Sequence, residues 1–272
     1  MADRVDTLFE AQCRLLNERE VESAANRQGL RLASGDLLET AFVDLVGLLQ
    51  PDISVEVGAH EADYSLAVKT RLPDARVLAF EANPAVHAAH AARIAESGLD
   101  VDYLHMAICE RTGSAVLNIP VARNATQFDV AGRISSLDVR GGSDWQYEKV
   151  EVPANRLDDA LAQENFERGV AWVDAEGAQG AILKGGAKFF SSALAVYIEV
   201  ETKRIWSSQF LADDITSMLG MHGLRPMLRD NLAQHQYNQV FIRPEAEYLD
   251  HVLALAEDYV ARMDAAITSF RS

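Results

Sequence analysis

From residue 53 onward the chain alternates short apolar runs with amphipathic segments. That alternation limits the possible folds more than any other feature. "ISVEV" is short and β-branched, and "EADYSLAVKTRL" follows with helix-like spacing. "ARVLAF" reads as a second strand, "NPAVHAAHAARIAESG" as a helix and "VDYLHMAI" as a third strand. In that helix Asn83 is placed to cap, Pro84 suits the first turn and Gly98 suits the end. Strand and helix in succession predict a parallel sheet, covered on both faces and wound by right-handed crossovers.

Other segments frame this pattern. Residues 3–50 look helical: Val5, Leu8, Phe9, Leu15 and Leu16 recur at helical spacing. "GDLLETAFVDLVGLLQP" is a second amphipathic segment, stopped by Pro51. Residues 111–150 break the alternation. "SAVLNIPVA" is a strand candidate, "RNATQFDVAGRISSLDVRGGSDW" a polar loop, "YEKVEVPA" another strand, and "NRLDDALAQEN" a short helix capped by Asn155. A loop of that length inside a compact domain points to function. "GVAWVDAEGAQGAILKGG" then resumes strand, turn and helix. "ALAVYIEVE" is a buried strand, "SQFLADDITSMLGMHG" a helix, and "LRPML" and "YNQVFIR" are two closing strands. "AEYLDHVLALAEDYVARMDAAITSF" is a long amphipathic helix. With no repeat or linker, one domain with a helical N-terminal extension is expected.

Composition removes several classes. At 272 residues and 49% apolar, the chain can bury a full core. Its formal charge of -16 argues against general binding to nucleic acid or an anionic membrane. No run approaches about 18 unbroken apolar residues, so no membrane span is expected. The N-terminus lacks the pattern of a signal peptide. Cys13 and Cys109 have neither pairing nor metal-ligand spacing and read as reduced thiols, so a cytoplasmic protein is expected.

Ligands of such sheets sit beyond the carboxyl ends of the strands. "VEVGAHEADYS" is the first strand-to-helix turn. Gly58 lets backbone approach a ligand, and the helix N-terminus offers free N–H groups. Glu56 and the polar residues that follow, His60 and Ser65 among them, can fix an amino group or a hydroxyl. In "LAFEANP", Glu81 ends the second strand a little over 20 residues later, with Ala82 beside it. An acid there can hold both ribose hydroxyls of an adenosine cofactor, or merely cap the helix at Pro84. A dinucleotide turn usually carries G-x-G-x-x-G, whereas this one has a single glycine. That is poor for a pyrophosphate and suits S-adenosylmethionine, whose charged amino-acid end Glu56 can receive. Met106 and Ala107, in "LHMAIC", are placed to flank an adenine ring or to pack in the core.

"AWVDAEGAQG" brings Asp174 and Glu176 to the end of the fourth strand. Two residues apart in an extended segment, they point the same way. They can orient a sulfonium, accept a hydroxyl proton or hold a divalent metal, though no metal site is predicted. Glu199 and Glu201, in "YIEVE", are the next candidate bases. His105, His222 and His235 read as structural. Arg123, Arg133 and Arg140, in the loop 121–145, could receive an anionic acceptor or stand solvated. Trp145, Trp172 and Trp206 suit ring stacking or packing.

Together these pieces resemble the FkbM family of S-adenosylmethionine-dependent methyltransferases, across roughly residues 37–243. The likeness rests on "VEVGAHEADYS", "VLAFEANP", "HMAICERTGSAVLNI", "ISSL", "VEVPANRLDDAL" and "VDAEGAQGAILKGG". The family's first motif usually reads D-x-G-A-N-x-G. Glu56 stands for its Asp, His60 for its Asn and Ala62 for its second Gly, while Gln179 replaces the last Glu of D-x-E-G-x-E. The resemblance implies a Rossmann-like α/β sheet, mostly parallel with an antiparallel last strand and helices on both faces. A methyltransferase domain over 51–272 would follow a helical extension over 1–50, with a loop insertion at about 120–146 and a C-terminal helix. It implies O-methylation of a sugar or secondary metabolite, with the cofactor held by Glu56, Gly58, Glu81 and Asp174. The candidate catalytic residues are Asp174, Glu176 and Glu199. A homodimer through the C-terminal helix, a non-catalytic adenosyl-ligand scaffold and a nicotinamide-dependent oxidoreductase remain open alternatives.

Overall fold

The computed structural model describes residues 2–18, 24–124, 126–128, 135–141, 144–230, 235–245 and 247–271. The chain opens with α1 (Ala2–Glu18) and α2 (Ala24–Leu49). After Leu49, Gln50 turns to a φ of 48° and Pro51 forbids a further helical turn. Then come β1 (Ile53–Val57), α3 (Asp63–Arg71), β2 (Arg76–Glu81), α4 (Pro84–Glu96) and β3 (Asp102–His105). Four strands and a helical turn follow: β4 (Ala107–Ile108), β5 (Gly113–Arg123), β6 (Thr126–Gln127), β7 (Trp145–Asn155) and α5 (Leu157–Ala160). The chain closes through β8 (Gly169–Val173), α6 (Gln179–Gly185), α7 (Ala187–Ser192), β9 (Ala193–Glu201), α8 (Ala212–Met221), β10 (Arg225–Arg229), β11 (Gln236–Ile242) and α9 (Leu249–Arg271).

The main sheet runs β10-β11-β9-β8-β1-β2-β3. β11 pairs antiparallel with both neighbours, and the other pairings are parallel. The expected mostly parallel sheet with an antiparallel last strand is therefore found. Strand order reverses between β1 and β8, which places the crevice at their carboxyl ends.

Side-chain alternation decides what each face receives. Ile53, Val55 and Val57 enter the core beneath α5–α8, with Ala171, Val173, Val196 and Ile198. The opposite face carries Val170 and Tyr197, packed with Tyr64 of α3, Phe42 and Leu45 of α2 and Val252 and Tyr259 of α9. Glu56, Trp172 and Tyr197 lie in one register row across β1, β8 and β9. One pleat further along, Asp174 and Glu199 reach the rim.

Two local readings need correction. The third strand is not continuous over 101–108. Met106 N–H donates to the Glu81 carbonyl at 3.0 Å, and the chain then leaves the main sheet. β4 joins a second sheet of order β4-β7-β5-β6, in which the two strand candidates flanking the polar loop pair as one long antiparallel ladder. Asn155 does not cap α5; Arg156 holds that position, while the Asn155 side chain accepts from Arg156 N–H and the Thr112 hydroxyl. Asn83 does cap α4, accepting from Ala85 N–H, with Pro84 in the first turn.

Candidate active site

The turn after β1 is strained and held from outside. Gly58 has a φ of 82°, and a Cβ there would lie 1.8 Å from the Asp174 carbonyl oxygen. The close approach needing glycine is thus to the β8 turn within the protein. His60 and Ala62 also have positive φ, 46° and 57°. These are the positions where the resembled motif has Asn and Gly, the residues that tolerate this region best. Each costs about 1 kcal/mol or more unless the surroundings enforce it. Enforcement comes from Gly58 and Ala59 N–H on the Phe80 carbonyl, both at 3.0 Å, and from Asp174 N–H on the Val57 carbonyl at 2.9 Å.

The double bend aims the start of α3 back at β1. Ser65 donates to Glu56 Oε2 twice, from its N–H at 3.0 Å and its hydroxyl at 2.6 Å. Ser65 is fully buried and stands behind the cavity wall, fixing Glu56. Burial pushes the Glu56 carboxyl up to about 8, against the pull of the Ser65 bonds. Glu81 is similarly tethered: Oε2 accepts from His60 N–H at 2.9 Å and Oε1 from Asn83 N–H at 2.7 Å. Burial raises its carboxyl too.

The β8 end differs from the expected extended pair. β8 stops at Val173, and Glu176 (φ 22°) and Gly177 (φ 85°) form a turn. Asp174 and Glu176 therefore do not share a strand face, although both line the same cavity. The turn is clamped by a strap at 135–141. Ser136 donates to the Glu176 carbonyl, and Arg140 stands 3.7 Å from the Glu176 carboxylate. The Arg140 guanidinium lies between the Trp206 and Trp145 rings, 4.7 and 5.0 Å from their centroids. A Cβ on Gly177 would meet the Trp206 ring at 2.5 Å. Burial first, then the Asp174 charge, pushes the Glu176 carboxyl up to about 8. Burial holds Glu199 well above the carboxylate range and lifts Glu201 to about 7. Glu176 Oε2, Glu199 Oε1 and both Glu201 oxygens are buried without a hydrogen-bond partner.

These elements enclose a cavity of about 840 Å³, toward the upper end of small-molecule sites. Glu56, Gly58, His60, Glu81, Ala82, Met106, Ala107, Asp174, Glu176 and Glu199 all line it. Trp172 and Arg140 do as well. Glu201, Arg123, Trp145, Trp206 and the three candidate histidines are not among its walls. His105 is bonded to the Ala82 carbonyl, and His222 to Ser191. Arg123 is paired with Asp144 at 2.9 Å, and Arg133 lies outside the described residues. Among the described residues no three His, Cys, Asp or Glu side chains stand close enough to hold a metal ion, and no helix is long and apolar enough to cross a membrane.

Sequence reasoning missed the contribution of α2. Arg31, Glu39, Thr40, Val43 and Asp44 form one wall, and Gln236 of β11 closes it. The signal was weak: Thr40 and Asp44, four apart on one side of the helix.

The family model for the methyltransferase FkbM domain matches residues 56–259. The chain belongs to the FkbM methyltransferase family. The methyl donor of this family is S-adenosylmethionine, which removes the nicotinamide-dependent oxidoreductase reading. Among solved structures, this FkbM-family chain is similar to an FkbM methyltransferase from Methylobacillus flagellatus KT. Identity there is 12%, the TM-score is 0.46, and the match covers 71% of this chain but 44% of that one. It is also similar to magnesium protoporphyrin IX methyltransferase (ChlM) from Synechocystis PCC 6803 with bound SAM. That match has 10% identity and a TM-score of 0.44, covering 86% and 90% of the two chains. No curated protein matches the chain.

Proposed function

We propose that the protein transfers the methyl group of S-adenosylmethionine to a hydroxyl of a sugar or secondary metabolite. The observation that carries this reading is the meeting of Glu56, Glu81 and Asp174, from the ends of three adjacent strands, in one cavity with room for donor and acceptor. The residues present fit the cofactor. Glu56 and Asp174 supply negative charge for its cationic end. Glu81 keeps acceptor capacity for ribose hydroxyls, since its two protein bonds use part of about four lone-pair sites. Met106, Ala107 and Ile108 give an apolar wall for adenine. When bound, the cofactor supplies an electrophilic methyl on positively charged sulfur.

The chain's own work is alignment and proton removal. Glu56 is prepositioned by Ser65, and Asp174 by its bond to Val57 and the close packing of Gly58. Glu176 is the proposed base. Its carboxyl, lifted to about 8 by burial, titrates near working pH, where a base is most effective. Arg140 keeps it oriented and favours its carboxylate form, the form that accepts the proton. The strap at 135–141 shields this turn.

The test is incubation with S-adenosylmethionine and a panel of sugars and phenolic metabolites, followed by mass and NMR analysis of the products. The expected product bears a new O-methyl group. Methyl transfer only to nitrogen or carbon would contradict the reading.

A further inference from the structure

The charges around the cavity say something about the acceptor. Beyond Asp174 the walls include Glu199 of β9, Gln236 of β11, Trp172 of β8 and, from α2, Glu39 and Thr40 with Arg31 a further two turns away along the helix. Glu199 Oε1 is shut off from solvent and receives no hydrogen bond. Two residues on, along the same strand face, both oxygens of fully buried Glu201 are also unpartnered. Neither carboxyl has an ion-pair partner among the described residues. The nearby cation, Arg140, is engaged by Glu176 and by two indole rings. Two of the arginines that first suggested an anionic acceptor are engaged within the protein: Arg123 with Asp144 and Arg140 with Glu176.

Carboxyl groups buried without a counter-charge cost several kcal/mol when ionised. On the methyl-transfer reading, Glu56 and Asp174, at the ends of β1 and β8, would receive the donor's positive charge. Glu199 lies one strand further out, on the acceptor side. We propose that the acceptor carries a protonated amino group that seats against Glu199, so that the substrate class is a hydroxylated amine, such as an amino sugar or a phenolic amine. This rests on the methyl-transfer reading above. It adds that the amine anchors the molecule while its hydroxyl faces Glu176.

The ammonium supplies the missing counter-charge at the end of β9, and Gln236 at the same wall offers a neutral polar neighbour. Burial holds the Glu199 carboxyl well above its ordinary value. An arriving ammonium favours the carboxylate, so whatever proton the acid form holds leaves as the amine seats. Amine binding then carries a proton release that a neutral ligand lacks.

The experiment uses full-length protein saturated with S-adenosylhomocysteine and titrated calorimetrically with two matched sets. One set is glucosamine, glucose and glucuronate; the other is tyramine, 4-(2-hydroxyethyl)phenol and 3-(4-hydroxyphenyl)propionate. In at least one set the amine is expected to bind about tenfold or more tighter than its neutral twin. Its enthalpy should depend on buffer ionisation, and the carboxylate should bind weakest. Glu199→Gln should erase the amine preference while keeping affinity for S-adenosylhomocysteine, which also reports its folding. If that variant does not fold, the wild-type comparison decides alone. Equal or tighter binding of the neutral or anionic twins overturns the proposal, as does failure of both amines to bind protein that holds S-adenosylhomocysteine. If S-adenosylhomocysteine itself does not bind, the methyl-transfer reading fails instead.

Discussion

The two ends of the cavity carry the same chemistry in opposite states. At the β1–β2 end, the carboxyls of Glu56 and Glu81 are tied down by Ser65, His60 and Asn83, at 2.6 to 3.0 Å. At the β8–β9 end, oxygens of Glu176, Glu199 and Glu201 are buried without a hydrogen-bond partner. A tethered carboxyl is a preorganised binding group, already aimed before its ligand arrives. An untethered buried one is a liability to the empty protein, tolerated where a ligand or a proton completes it. On the proposed reading, the contrast separates a rigid donor site from an acceptor site that is electrostatically unfinished.

Removing the rigid end's support should have the largest effect. Gly58→Ala drives a methyl group into the Asp174 carbonyl at a φ alanine rarely adopts. It should destabilise by about 4 kcal/mol in denaturant melts and abolish cofactor binding. Next comes pH, which probes both ends together. Glu56 and Glu176 have folded values of about 8, against an ordinary 4.5. Below about 4.5 both states hold these protons. Between about 4.5 and 8 the unfolded chain has released them and the folded protein has not, so stability falls as pH rises and levels off above 8. The ligand-free protein should lose several kcal/mol across that window. Loss on acidification instead would contradict the burial argument.

Smaller changes sharpen the contrast. Glu176→Gln should lower kcat about a hundredfold, with affinity for S-adenosylhomocysteine within a few-fold; unchanged turnover would remove it as the base. Ser65→Ala unties Glu56 and should weaken S-adenosylhomocysteine binding about tenfold, with little change in acceptor KM. At the other end, Glu201→Leu removes an unpartnered buried carboxyl and should raise stability by about 1 kcal/mol.

Legibility in sequence divides along a related line. β1, β2, β8, β9 and the Asn83 cap could be read because each is set by neighbours a few residues away. Glu56, Glu81 and Asp174 followed, since they sit at strand ends that periodicity locates. Features set by distant contacts could not be read. The chain leaves the main sheet at Met106 because β7, some 50 residues later, offers Ala154 and Asn155 as partners. Glu176 sits in a turn because Trp206 packs on Gly177 and the strap grips the Glu176 carbonyl. Gly58 could be flagged as a close approach, but its partner, 116 residues away, could not be named from the sequence. α2 reads as an amphipathic helix, and only the folded chain shows that its polar side walls the cavity.

The central claim is that the tethered carboxyls make a ready donor site. Calorimetric titration with S-adenosylmethionine and S-adenosylhomocysteine, with NAD as control, tests it most directly. The account predicts micromolar binding of both adenosyl ligands and none of NAD. Absence of adenosyl-ligand binding by folded protein, or equal binding of NAD, would contradict it.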